Sequence, residues 1–202
     1  CVLGPMLARN GEALVSLPGG CVIGDRPIDL HLRGLEALGA EVEVKGGDIK
    51  VTARSGLRGA NVNMSGQYGS TVLGTDNVMM AAVFAVGETI IEGAAAEPEV
   101  EDMAKFLNSL GAKIEGAGTS RIVIHGVEGH SGGEHVVIPD RIEAGTFMVA
   151  GALIGDGITL ENVRAKHLKK LIKILKGCDH KVKKLDGNKI FVKASSDPKA
   201  NE

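Results

Sequence analysis

Apolar residues recur along this chain at two spacings, and stretches of each kind follow one another. Val100, Met103, Leu107 and Leu110 fall on one face of a helix, as do Leu168, Ile172 and Leu175. Ile49 and Val51, Ile122 and Ile124, and Ile190 and Val192 keep the two-residue period of strands. Glu41-Val42-Glu43-Val44 alternates in the same way, which predicts a strand with one wet face. Another kind of stretch, clearest from Val78 to Val86, is apolar nearly all round and predicts a helix buried on every side.

These elements repeat. Gly34-Leu35-Glu36-Ala37-Leu38-Gly39-Ala40-Glu41-Val42 returns as Phe106-Leu107-Asn108-Ser109-Leu110-Gly111-Ala112-Lys113-Ile114, and more weakly as residues 171–179. Each copy follows an amphipathic helix and precedes a charged turn and an alternating strand. A second element recurs as residues 77–82 leading into 87–91, as 145–150 leading into 157–160, and in worn form as 2–8 before 13–15. The unit is helix, strand, helix, strand, strand, three times over roughly 65 residues each. The expected fold class is α/β, with all-round apolar helices inside and half-wet sheets outside, the reverse of ordinary α/β layering.

Composition adds limits. Hydrophobic residues make up 44% and charged residues 24%, ordinary for a globular protein, while aromatics are 2% with no Trp. The core must therefore be built from Val, Ile, Leu, Ala and Met. A net charge of −2 gives no electrostatic reason to expect nucleic acid, and the dense lysines from Lys166 to Lys193 are expected to be a solvated helix face and hairpin. No apolar run reaches spanning length and no signal segment starts the chain, so no membrane partner is expected. Cys1, Cys21 and Cys178 lie far apart without CxxC spacing, which predicts neither metal nor disulfide framework and fits a reducing compartment. His125, His130, His135, His167 and His180 also lack metal-ligand spacing. The chain begins with Cys inside a pattern already under way and is expected to be a partial copy of a longer protein.

The candidate chemistry centres on Ser16-Leu17-Pro18-Gly19-Gly20-Cys21-Val22-Ile23-Gly24-Asp25-Arg26-Pro27-Ile28-Asp29-Leu30-His31. Paired glycines let a loop approach a ligand closely. Arg26, five residues after Cys21, can favour the thiolate or hold an anion, and Pro27 suits the first turn of a helix. A free Cys is commonly a small buried hydrophobe, but a place between Gly20 and an apolar pair in a Pro/Gly loop points to a reactive group. Gly66 to Thr75 is rich in glycine and hydroxyls ahead of a helix expected at Asp76, a composition that suits a diphosphate. No GxxxxGK[ST] spacing occurs, which argues against ATP hydrolysis. Glu97-Pro98-Glu99 and Asp140-Arg141-Ile142-Glu143 place carboxylates before helices, where capping is the plain explanation.

LPGGCVIGDRPIDLHLRGLEALGA, residues 74–119 and IPDRIEAGTFMVAGALIGDGITLENV together resemble, in order, the UDP-N-acetylglucosamine 1-carboxyvinyltransferases of the EPSP synthase superfamily. The resemblance covers about residues 1–165 and implies an inside-out α/β barrel of enolpyruvyl transferase type, three repeat units of which are present. It implies that 1–138 are two units of the first domain, that 139–194 resemble the start of the second, and that 195–202 are a disordered tail. It further implies a cytoplasmic enzyme acting on UDP-N-acetylglucosamine and phosphoenolpyruvate without metal or organic cofactor. Cys21 would be the general acid at phosphoenolpyruvate and Arg26 its anion grip. Pro27, Ile28, Asp29, Leu30 and His31 would hold the uracil ring. Ser70, Thr71, Gly74 and Thr75 would touch the diphosphate, although extra residues and a missing lysine depart from the commoner form there. Glu97 and Asp140 would line the cleft near the sugar. The family's general base falls outside this chain, so an inactive nucleotide-sugar-binding fragment is the main rival. A 5-enolpyruvylshikimate-3-phosphate synthase relative is the other.

Overall fold

The structure is a computed structural model that describes residues 1–19, 27–154 and 156–200. The chain divides into two compact units, residues 1–136 and 137–202. The first runs α1 (Leu3–Asn10), β1 (Glu12–Ser16), α2 (Asp29–Ala37), β2 (Glu41–Lys45), β3 (Asp48–Thr52), β4 (Asn61–Asn63), α3 (Val72–Ala82), β5 (Glu88–Glu92), α4 (Pro98–Ser109), β6 (Lys113–Glu115) and β7 (Arg121–His125). The second runs α5 (Arg141–Leu153), β8 (Ile158–Leu160), a short 3-10 helix (Ala165–Leu168), α6 (Lys169–Gly177), β9 (Lys181–Leu185) and β10 (Lys189–Lys193). The fold is α/β. The described strands make three open sheets, β1-β3-β2, β4-β5-β7-β6 and β8-β10-β9, and none closes on itself.

In the first unit α3 occupies the centre. Val78, Met79, Ala81 and Ala82 are wholly buried, and the helix packs on α1, α2 and α4. Glycines set two of these crossings. A Cβ on Gly4 would lie 2.0 Å from the Asn77 carbonyl oxygen, and one on Gly34 would lie 2.3 Å from Val78 Cγ2. The Gly4 N–H also donates to Asn77 Oδ1 at 2.9 Å, so the α1–α3 contact is both close and directional. The alternating pairs of the sequence turn inward as expected: Ile49 and Val51 in β3, and Ile122 and Ile124 in β7, are buried against these helices.

Two elements differ from the sequence pattern. The helix expected from Val78 to Val86 runs instead from Val72 to Ala82, and Val86 ends up 77% exposed. Its start is set by Thr71, whose Oγ1 accepts the Gly74 N–H at 3.1 Å, and the polar Thr75, Asp76 and Asn77 enter the core as helical residues. β2 is also wetter than its alternation implies, with Val44 52% exposed, because it forms a sheet edge.

In the second unit α5 and α6 cover one face of the β8-β10-β9 sheet. Met148, Ile190 and Val192 are wholly buried, with Ile172, Leu175 and Val182 beside them. Asp140 starts α5 by accepting the N–H groups of Ile142 (2.7 Å) and Glu143 (3.1 Å) on Oδ1. Beyond β10 the Ser195 N–H donates to His180 Nδ1 at 3.1 Å, and Lys199 pairs with Asp179 at 2.6 Å.

Candidate functional site

The first unit holds a cleft of about 390 Å³. One wall is Pro27, Asp29, Leu30 and His31 at the start of α2, and the other is the loop from Gly66 to Thr71 that leads into α3. The loop is narrow: Gly66 and Gly69 exchange backbone hydrogen bonds of 2.9 and 3.1 Å, which lifts Gln67 and Tyr68 to the tip. Tyr68 is 91% exposed. Gly69 has φ +100°, and a Cβ on Gly66 would come within 2.9 Å of Leu30 Cδ1, so small residues bring the two walls together. Arg33 Nη2 donates to the Ser65 carbonyl at 2.8 Å and ties α2 to the base of the loop.

The cleft offers hydroxyls and a helix start on one side and a largely aliphatic wall on the other. First-turn N–H groups of α3 have no intrahelical acceptor, and Ser70 and Thr71 add hydroxyls beside them. On the facing wall burial lowers the pKa of His31. The positive amino terminus pushes in the same direction and Asp29 opposes it. His31 is therefore a neutral imidazole at neutral pH, one donor and one acceptor beside the aliphatic Leu30 and Pro27.

The residues expected in the site separate into distinct groups. Pro27, Asp29, Leu30, His31, Ser70 and Thr71 line the cleft. Ile28 packs against the core instead. Gly74 and Thr75 lie inside α3 rather than in a loop. The Gly74 N–H is taken by Thr71 Oγ1, and the buried Thr75 hydroxyl donates to the Thr71 carbonyl (2.7 Å) and accepts the Ala95 N–H (3.1 Å). Glu97 precedes α4 but makes no side-chain cap bond, whereas Asp140 caps α5 and lines a separate cleft of about 270 Å³ in the second unit. Cys21 and Arg26 lie outside the described residues. No cluster of three or more His, Cys, Asp or Glu able to hold a metal ion occurs among the described residues.

One ionisable group escaped the sequence reading. Asp76, on α3, is 6% exposed and its Oδ1 has no hydrogen-bond partner. Burial, then the carboxylates of Glu99 and Glu97, push its pKa up to about 6. The nearby Glu97-Pro98-Glu99 triplet was visible in sequence, but the depth of Asp76 was not.

Comparison with known proteins supplies context for this geometry. The profile of the EPSP synthase (3-phosphoshikimate 1-carboxyvinyltransferase) family matches residues 1–201. The UDP-N-acetylglucosamine 1-carboxyvinyltransferase of Akkermansia muciniphila is 54% identical over 203 residues, 100% of this chain and 48% of that protein. Its namesake from Methylacidiphilum infernorum is 58% identical over 179 residues, 88% of this chain and 42% of that protein. The chain thus spans about half the length of the curated relatives it matches. Among solved structures, the enolpyruvyl transferase NikO from Streptomyces tendae aligns with TM-score 0.78 at 22% identity, over 95% of this chain and 46% of that one. EPSP synthase from Acinetobacter baumannii aligns with TM-score 0.67 at 22% identity, over 96% of this chain and 45% of that one. The fold is that of the enolpyruvyl transferases.

Proposed function

Because the chain belongs to the EPSP synthase family, we propose that it is part of an enzyme that transfers the enolpyruvyl group of phosphoenolpyruvate to the 3′-hydroxyl of UDP-N-acetylglucosamine, the step that opens peptidoglycan synthesis. The observation that carries this reading is the cleft: the start of α2 and the Gly66–Thr71 loop, far apart in sequence, face each other across a space for one small ligand. Relatives bearing the nucleotide-sugar name are 52–58% identical, against 21–22% for the EPSP synthase structures, which favours the nucleotide sugar over the shikimate substrate.

In this reading the uracil lies against Pro27, Leu30 and the neutral His31, and the diphosphate lies toward Ser70, Thr71 and the first turn of α3. Cys21 delivers a proton to the methylene carbon of phosphoenolpyruvate while the sugar hydroxyl oxygen bonds to the adjacent carbon and loses its proton to a base. Inorganic phosphate then leaves as the methylene carbon gives its added proton back, which restores the double bond. Arg26 grips the phosphate or carboxylate through its planar donors. Glu97 reaches toward the sugar from the start of α4. The protein works in the cytoplasm without a cofactor; no helix among the described residues is long and apolar enough to cross a membrane.

The finer architecture is part of the same proposal. Residues 1–138 supply two units of one inside-out barrel, and 139–194 supply one unit of a second. The burial of α3 among helices supports this placement, as does the uncovered apolar side of α5, which further units would cover.

The test is intact mass after exposure to fosfomycin, an epoxide that alkylates the family's loop cysteine, with and without UDP-N-acetylglucosamine. A single addition at Cys21, faster with the nucleotide sugar, is expected. No addition, with Cys21 still open to a generic thiol reagent, would overturn assembly of the site in this chain. Saturable UDP-N-acetylglucosamine binding without phosphate release would identify a binding fragment lacking the base.

A further inference from the structure

The lysines near the C-terminus take no part in the cleft. Residues 137–202 carry thirteen Lys and Arg against eight Asp and Glu, net +5, whereas residues 1–136 carry ten against seventeen, net −7. The excess is concentrated on α6. Ile172 and Leu175 of this helix are buried, and Lys169, Lys170, Lys173 and Lys176 are all exposed. At about 100° per residue these lysines span roughly a third of the helix circumference, so they form one face. Lys189, Lys193 and Lys199 pair with Glu161, Asp156 and Asp179, but no lysine of α6 has an acidic partner among the described residues.

Local electrostatics oppose this arrangement. Lys169 and Lys170 stand in the first turn, where the backbone already carries partial positive charge, and α6 has no acid there. Lys169 with Lys173, and Lys173 with Lys176, are like-charged neighbours at helical spacing, each pair mildly destabilising. A helix that faced only water would be more stable with acids interleaved. A partner that presents negative charge would relieve this repulsion.

The chemistry of the face selects among such partners. α6 contains no Arg, Asn, Gln or aromatic residue, the groups that read or stack on nucleotide bases. It does carry Ile174, 47% exposed, at the border of the lysine face. Four point charges with an aliphatic prong beside them match the phosphate layer and acyl boundary of a lipid surface. We propose that α6 docks peripherally on a bilayer rich in anionic lipid, its lysines at headgroup level and Ile174 entering the interface. Such contact needs no spanning segment.

The test is sedimentation of the full chain with vesicles of phosphatidylcholine alone and with a quarter phosphatidylglycerol, at low and high salt. Binding is expected to the anionic vesicles only and to vanish at high salt. Each lysine near an anionic surface contributes on the order of a fivefold gain in partition, so K170Q/K173Q should bind roughly 25-fold more weakly. Its melting temperature should be unchanged or raised, which separates lost docking from lost fold, and I174S should bind more weakly without altering the salt dependence. Equal binding to neutral vesicles, no binding to anionic ones, tighter binding to a polynucleotide, or an unaffected K170Q/K173Q variant would each overturn the proposal.

Discussion

α3 and α5 read alike in sequence and differ in the fold. Both are apolar nearly all round, both begin at a side-chain cap, and both would be assigned to a core. α3 meets that expectation, with helices on several sides and Met79 wholly buried. α5 buries Ala144, Met148 and Ala152 on its sheet and α6, and leaves Ile142, Phe147 and Leu153 62%, 52% and 72% exposed. Apolar periodicity therefore states how much of a helix ought to be covered. Which neighbours are there to cover it decides the rest.

The largest effect that sharpens this contrast is in truncation. Met79→Ala should lower the unfolding free energy by about 2–5 kcal/mol, whereas Leu153→Ala should change it by less than about 0.5 kcal/mol, both read from urea denaturation. Equal losses would mean that the outer side of α5 is covered in solution.

The next effect concerns the polar residue that α3 buries. Asp76 has a folded pKa of about 6 against an ordinary value of 3.8, so the folded state holds its proton more tightly. Stability from this group is present in acid, falls as pH rises from about 4 to 6, and is absent above. Asp76→Asn should flatten that decline and raise stability at pH 7 by on the order of 2 kcal/mol. A thermal denaturation series from pH 4 to 8 checks it, and an unchanged slope would show that Asp76 titrates normally.

Smaller effects compare the two helix starts. Thr71→Ala and Asp140→Ala should each cost about 0.5–2 kcal/mol by calorimetry. Only the Thr71 change should also weaken UDP-N-acetylglucosamine binding, because Asp140 stands in the other unit. The smallest is Arg33→Ala, which removes one exposed bond to the Ser65 carbonyl and should cost under about 1 kcal/mol while loosening ligand binding at the cleft.

Much of this fold was legible before any coordinates. Val100 and Leu107, Ile172 and Leu175, and the strand pairs Ile49/Val51, Ile122/Ile124 and Ile190/Val192 all turn inward, because a long periodic segment has one low-energy way to bury its stripe. The start of α3 was not legible. Gly74 and Thr75 look like loop residues, and the burial of Thr75 and Asn77 rests on partners, Ala95 and Gly4, that are distant in sequence. The three-residue β4 was missed for the same reason, since its parallel pairing with β5 carries no periodic signal. For the site, no spacing rule joins His31 to Ser70. Their shared cleft comes from Gly66 and Gly69 admitting a tight turn against Leu30, and within the sequence only the family resemblance links the two segments.

The protein contains no Trp and a single Tyr, and that Tyr stands at the tip of the cleft loop with 91% of its surface in water. The molecule therefore carries its own optical reporter. Any ligand that closes the loop over the cleft would move the phenol ring from solvent to a shielded place, and tyrosine emission would register that movement alone, without a dye, a label or an engineered residue.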